Sequence, residues 1–140
     1  MKCCAVIDTN VLISALLSKK QNAATVQVLE LIFAGDITML YSKKVFKEYK
    51  QVLHRKKFGF SKQTIKILLE FIQKYGIKVN PKQPNLSLPD MDDVPFYEIV
   101  LETKSNGSYL VTGNIKHFPK EPFIVTAREL ITILKSNYLH

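Results

Sequence analysis

Short apolar runs alternate with longer amphipathic segments along the chain. The apolar runs predict strands, and the continuous run CCAVI is typical of a strand that is covered on both faces. The predicted strands lie at 3–7, 37–41, 77–79, 109–111 and 123–125. Between them, apolar residues recur every three or four positions, which predicts helices. The predicted helices lie at 11–17, 22–33, 43–54, 61–75, 93–104 and from 127 onwards, and the proline-containing segment 81–89 predicts an irregular connection.

This alternation predicts an α/β fold, a three-layer α/β/α sandwich in which helices cover a central parallel sheet. The 140 residues suit one domain, and no repeat or linker divides them, so we expect a single domain over residues 1–140. In open parallel sheets, ligands bind beyond the carboxyl ends of the strands. Asp8 follows the first predicted strand, and Asn114 follows the strand at 109–111. We therefore expect these two residues at a functional edge.

Asp8 has two interpretations. An Asp that follows a strand often caps the next helix. Thr9 and Asn10 can cap equally well, so a cap alone does not require a carboxylate at this position. The second interpretation is a functional carboxylate at the end of a buried strand.

Glu48 lies at the border of an amphipathic helix. At about 100° per residue, the apolar side chains of this helix form one arc and its lysines fill the opposite arc. Glu48 falls beside Val45 and Val52, where it can face the edge of the core. The alternative is a surface Glu paired with Lys44 or Lys47, a contact that stabilises a helix by only a few tenths of a kcal/mol.

Three acids, Asp90, Asp92 and Asp93, stand at the start of a predicted helix. Acids there cap the helix and complement its dipole, but one cap explains only one Asp. On the helical wheel, Asp93 shares an arc with Phe96 and Val100, so it is the acid that we expect to point inward. Carboxylates drawn together repel one another, and a divalent cation compensates that repulsion. Such a cation can activate water against a phosphodiester.

The net charge of +8 indicates an acidic partner, and its distribution is uneven. The segment 43–66 contains one acid, Glu48, and nine basic residues: Lys43, Lys44, Lys47, Lys50, Arg55, Lys56, Lys57, Lys62 and Lys66. The simple interpretation is a solvated helix face. The functional interpretation is a basic rim that holds the phosphates of a polyanionic partner, and we assign this role to Lys47, Lys50, Arg55 and Lys56.

Four segments together resemble the sequence landmarks of PIN domains, in order and in spacing. They are CCAVIDTNVLISALL, SKKVFKEYKQVL, LPDMDDVPFYEIVLE and YLVTGNIKHFP. The chain is most similar to bacterial PIN proteins related to VapC-type toxins of toxin–antitoxin systems. The resemblance implies an endoribonuclease that uses Mg²⁺ or Mn²⁺, a cognate antitoxin as partner, and a homodimer.

The resemblance also assigns residues. Asp8, Glu48 and Asp93 match the first three acidic positions, which bind the metal and cut RNA in the family. Asn114 matches the fourth, where many members have Asp, and this departure bears on whether one or two metals bind. Thr112 matches a hydroxyl residue near the site, and Asn10, Asp90 and Asp92 are supporting neighbours.

Other classes are less well supported. The phosphate-binding glycine motifs are missing, and Asn10 breaks the D-x-D pattern of aspartyl-nucleophile phosphatases. We set His117 aside as a loop residue without a role. A PIN-like RNA- or protein-binding module with weak or lost catalysis remains the alternative, because of Asn114. With no signal peptide, no membrane span and two adjacent cysteines, we expect a cytoplasmic protein.

Overall fold

The computed structural model describes residues 2–82 and 86–138, so residues 83–85 of the predicted irregular connection lie outside it. The strands in this part form one sheet with the order β3-β2-β1-β4-β5, and every neighbouring pair is parallel. The strands are β1 (Cys3–Ile7), β2 (Ile37–Tyr41), β3 (Ile77–Lys78), β4 (Tyr109–Val111) and β5 (Ile124–Val125). The central position of β1 places its carboxyl end between those of β2 and β4.

Helices connect and cover these strands, which confirms the predicted α/β sandwich. They are α1 (Thr9–Leu17), α2 (Ala24–Ala34), α3 (Lys43–Leu53), α4 (Lys62–Tyr75), α5 (Val94–Thr103) and α6 (Ala127–Tyr138). The starts of α1 and α5 differ from prediction for local reasons. α1 begins two residues early because Asp8 caps it, and α5 begins only after one 3₁₀ turn at Met91–Asp93.

Local signals explain most helix ends. The Ser42 hydroxyl accepts a hydrogen bond from the Val45 N–H at 3.2 Å, which starts α3 directly after β2. Gly35 ends α2 with a φ of 87°, a left-handed conformation that glycine adopts without a steric penalty. These two residues make the turns sharp on either side of β2.

Tyr49 of α3 joins this helix to the central strand. Its side chain is fully buried, and its hydroxyl donates a hydrogen bond to the backbone carbonyl of Ile7. The Tyr49 ring also packs 6.3 Å, centroid to centroid, from the ring of Phe96 in α5. Burying the phenol raises the pKa of Tyr49 well above its ordinary value, so the hydroxyl stays a donor. The contact fixes α3, and with it Glu48, next to the end of β1.

The two cysteines of the chain lie in β1. Cys3 and Cys4 are free and half-buried in β1, and burial, with a smaller contribution from Cys4, raises the pKa of the Cys3 thiol to about 11. Cys3 is therefore a neutral thiol that packs as a small apolar group.

None of the helices in residues 2–82 and 86–138 combines the length and the apolar character that a membrane span needs.

Candidate metal centre

The pairing of β1 with β4 sets the position of Asp8. Ile7 pairs with Val111, so the next residues of both strands, Asp8 and Thr112, emerge side by side. The Thr112 hydroxyl donates to Asp8 Oδ2 at 2.8 Å, and the Asn10 N–H donates to Asp8 Oδ1 at 3.3 Å. Asp8 therefore caps α1 and also faces the carboxyl edge of the sheet. The two interpretations of this residue are compatible, because each carboxylate oxygen can accept a further ligand.

Glu48 reaches the same edge from α3. Its side chain is half-buried, and Oε2 accepts a hydrogen bond from the hydroxyl of Thr9, the first residue of α1. Within the described residues, no lysine forms an ion pair with it, so the surface interpretation of Glu48 is wrong. Burial raises the pKa of Glu48, and the charge of Asp8 raises it further, although the Thr9 hydrogen bond lowers it.

The 3₁₀ turn before α5 brings the remaining acids to this edge. The Asp93 side chain is 13% exposed, which confirms that it points inward, and burial raises its pKa despite a hydrogen bond from His117. Asp90 and Asp92 are exposed. The Asp92 N–H donates to Asp90 Oδ1 at 2.9 Å, which leaves the other Asp90 carboxylate oxygen free.

These acids line one cavity of about 270 Å³, the acidic cavity. Its carboxylates come from three separate segments and are Asp8, Glu48, Asp90, Asp92 and Asp93. Asn10 and Asn114 add two amide side chains to the wall, and the Asn114 N–H donates to the Thr112 hydroxyl at 3.0 Å. The predicted acids and both predicted asparagines are thus brought together. Thr112 is fully buried and acts on the cavity through its contacts with Asp8 and Asn114.

Sequence comparison agrees with this arrangement. The family model described as PIN domain matches residues 4–116, which include Asp8, Glu48, Asp93 and Asn114. The chain belongs to the PIN domain family. PIN domains are generally metal-dependent nucleases. No curated protein matches the chain.

The acidic cavity of this PIN domain suits a divalent cation. Five carboxylates share it, and within the described residues no lysine or arginine nitrogen lies within ion-pair distance of them. Their mutual repulsion and burial raise the pKa values of Glu48 and Asp93, so the ionised cluster is unfavourable without a cation. Carboxylate and amide oxygens are the ligands that Mg²⁺ and Mn²⁺ prefer. The donor set therefore fits the metal that the family uses.

His117 is the residue that sequence reasoning missed. One 3₁₀ turn, Ile115–His117, follows Asn114 and brings the imidazole back to the carboxyl edge of the sheet. His117 Nδ1 lies 3.0 Å from Asp93 Oδ2, and ligand atoms of Asp90, Asp93 and His117 all lie within 4.8 Å of one another. The spacing of three residues from Asn114 corresponds to one 3₁₀ turn, but no periodic pattern in the sequence marks so short a turn.

The four residues predicted to bind RNA are all exposed, and they differ in which cavity they line. Arg55, directly after the end of α3, lines the acidic cavity of the PIN domain. Lys47, Lys50 and Lys56 are exposed and do not line it. Lys50 instead lines a groove between α3 and α4, together with basic residues of α4. Arg55 is therefore the predicted cation closest to the candidate metal centre.

Proposed function

We propose that this PIN domain is an endoribonuclease that hydrolyses RNA phosphodiester bonds with Mg²⁺ or Mn²⁺. One observation carries the proposal: Asp8, Glu48 and Asp93, far apart in sequence, line one cavity. The positively charged side chain of Arg55 lines this cavity, where it can contact the substrate phosphate. The family makes a nuclease the expected activity, and the net charge of +8 supports a polyanionic substrate.

Asp8, Asp93 and Glu48 divide two roles in this proposal. Asp8 and Asp93 hold the cation, and Thr112 fixes the orientation of the Asp8 carboxylate through its 2.8 Å hydrogen bond. When bound, the cation lowers the pKa of a coordinated water and stabilises the leaving oxygen. Thr9 occupies Oε2 of Glu48, so Oε1 is the atom left to accept a proton from the attacking water.

The decisive experiment measures cleavage of a labelled RNA with Mg²⁺, with Mn²⁺ and after chelation. We expect cleavage by the wild-type protein only with a cation, and none by Asp8→Asn. Asp36→Asn is the matched control, because it makes the same chemical change between α2 and β2, outside the acidic cavity. Full activity in Asp8→Asn, or cleavage that survives chelation, would contradict the proposal.

A binding module without catalysis is the second candidate, and Asn114 is the observation that favours it. Many PIN domains have Asp at the position of Asn114. The amide of Asn114 carries no charge, so there is one negative charge fewer to hold a second cation. A metal that binds only the folded state must raise its thermal stability, so a Mn²⁺ titration tests cation binding separately from cleavage. A protein that binds RNA but shows neither a Mn²⁺-dependent shift nor cleavage is a binding module.

The resemblance to VapC-type proteins supports a finer role, the toxin of a cytoplasmic toxin–antitoxin pair. In this role the chain forms a homodimer, and a cognate antitoxin holds it inactive. Overexpression should then arrest growth, whereas Asp8→Asn should not. Co-expression of the neighbouring gene should relieve the arrest. Unchanged growth during overexpression of an active wild-type protein would exclude the toxin role and leave the nuclease proposal intact.

A further inference from the structure

His117 stands out among the residues of the acidic cavity because it is the only imidazole on its described wall. The ring is held between two elements: its backbone N–H donates to the Asn114 carbonyl at 2.9 Å, and Nδ1 contacts Asp93 Oδ2. The side chain is 42% exposed, so the ring reaches the open part of the cavity while Asp93 lies below it. The histidine thus joins the strand end of β4 to the start of α5.

The contact between His117 and Asp93 has the dimensions of a metal site. Two neighbouring ligands at about 2.1 Å from an octahedral cation lie about 3.0 Å apart. The Nδ1 to Oδ2 distance is 3.0 Å, and one ligand atom from each of Asp90, Asp93 and His117 lies within 4.8 Å of the other two. Asp90 is exposed and can adjust to the shorter distances of a bound ion.

We propose that His117 is a metal ligand, together with Asp93 and Asp90, and that this nitrogen makes the site select divalent transition-metal ions over Mg²⁺. The inference rests on the proposed metal centre and specifies which ions it takes. A neutral imidazole whose proton is on Nε2 keeps the lone pair of Nδ1, and this is the form of His117 that would bind a cation beside Asp93 Oδ2.

The selectivity follows from ligand chemistry. Mg²⁺ prefers hard oxygen ligands and keeps several waters, so a nitrogen ligand adds little to its binding. For first-row transition metals, the affinity of a site with nitrogen and oxygen ligands rises from Mn²⁺ to Co²⁺. We therefore expect binding to strengthen from Mg²⁺ through Mn²⁺ to Co²⁺.

The competing explanation is that His117 only positions Asp93 by hydrogen bonding. A positioning residue supports every cation that Asp93 binds, so its loss weakens all of them by a similar factor. A ligand contributes most to the ions that accept nitrogen, so its loss reduces selectivity. The two roles therefore differ in the ratio of affinities between metals.

The test measures dissociation constants for Mg²⁺, Mn²⁺ and Co²⁺ by calorimetry on wild type and on His117→Gln. We expect His117→Gln to weaken Co²⁺ binding on the order of 10- to 100-fold, Mn²⁺ binding less, and Mg²⁺ binding least. His54→Gln is the matched control, because His54 caps α3 outside the acidic cavity and should leave all three constants unchanged. Equal weakening of the three metals would overturn the ligand assignment.

A second measurement needs no variant. Pulsed electron paramagnetic resonance of Mn²⁺ bound to the wild-type protein should show coupling to a directly bound ¹⁴N nucleus. The absence of this coupling would also overturn the inference, even if His117→Gln failed to fold. Nitrogen coordination in a protein that never cleaves RNA would refute only the nuclease proposal. Metal-dependent cleavage with an all-oxygen site would refute only the inference about His117.

Discussion

Two cavities of similar size lie against the central sheet, and their walls are opposite in character. The apolar cavity, of about 330 Å³, lies beside the first half of β2 between the ends of α2 and α4. Phe33, Phe71 and Tyr75 contribute to its wall, and the Phe33 and Phe71 ring centroids lie 4.8 Å apart. The acidic cavity, of about 270 Å³, lies beyond the carboxyl ends of β1 and β4 and gathers five carboxylates.

The two cavities contribute to different properties of the protein: the apolar cavity to its stability and the acidic cavity to its chemistry. Apolar walls lose little by facing each other, so the apolar cavity follows from how two helix ends pack on β2. Clustered carboxylates oppose folding unless a cation binds them. The carboxylates of the acidic cavity therefore lower the stability of the fold, although they serve a function. Substitutions in the two cavities should consequently affect different properties.

The largest expected effect is that of Asp93→Asn in the acidic cavity. RNA cleavage should fall at least about 100-fold, because a cation ligand and its charge are lost. Without metal, the variant should be at least as stable as wild type, since the raised pKa of Asp93 means that its charge opposes folding. Urea unfolding after chelation, together with the cleavage assay, measures both properties. A variant that loses activity because it unfolds would contradict the separation.

Gly76→Ala at the apolar cavity should show the opposite behaviour. A Cβ at Gly76 would lie 2.5 Å from the Ile72 carbonyl oxygen and 2.9 Å from that of Met39, and neither backbone atom can move easily. We expect a loss of about 1–3 kcal/mol in the free energy of unfolding, with unchanged Mn²⁺ affinity. Gly113→Ala is the control, because its Cβ would meet nothing within 4 Å. A stable Gly76→Ala protein with altered metal binding would break the comparison.

The pH dependence of stability sharpens the comparison further. Glu48 and Asp93 have folded-state pKa values above their ordinary values of 4.5 and 3.8, so the folded protein holds their protons more tightly than the unfolded chain. Without metal, the contribution of these two groups to the free energy of unfolding should therefore be greatest below those ordinary values. It should fall as pH rises from them through the raised pKa values. Urea titrations at several pH values measure this slope, and the double variant Glu48→Gln, Asp93→Asn should flatten it.

The smallest expected effects concern the basic residues near the acidic cavity. Arg55→Ala should lower the rate at saturating RNA, because Arg55 lines the cavity, whereas Lys50→Ala should change only RNA affinity. Replacing Lys47, Lys50, Arg55 and Lys56 together should reduce the log–log salt slope of binding by about 0.7 per lost phosphate contact. Unchanged affinity and slope in the fourfold variant would make this stretch a solvated surface.

Regular structure explains which parts of the site the sequence could predict. Asp8 and Asn114 were predictable because parallel strands end at one edge, and Glu48 and Asp93 because helical periodicity places them beside apolar residues. His117 was not, because its position depends on one 3₁₀ turn that leaves no periodic signal. That Arg55 lines the acidic cavity could not be predicted, because it depends on where α3 ends relative to α1 and α5.

The fold was predictable in its element types, and its errors are local. The strand at 123–125 and the helix at 22–33 were predicted with ends that shift by up to two residues in the structure. α2 starts at Ala24 without a side-chain cap, so the Asn at position 22 was a misleading start signal. Strand order depends on contacts between distant segments, and no local pattern specifies it.

Because Ile7 pairs with Val111, the site cannot form until the chain has been translated as far as β4. During synthesis, Asp8 and Glu48 are made before Asp93 and Thr112. A shift of one residue between β1 and β4 would move Thr112 by about 3.3 Å and turn it to the other face of the sheet. A nascent or misaligned chain therefore lacks the complete set of ligands. An enzyme that cuts RNA would thus stay harmless to the messenger RNA that encodes it until most of its own chain has been translated.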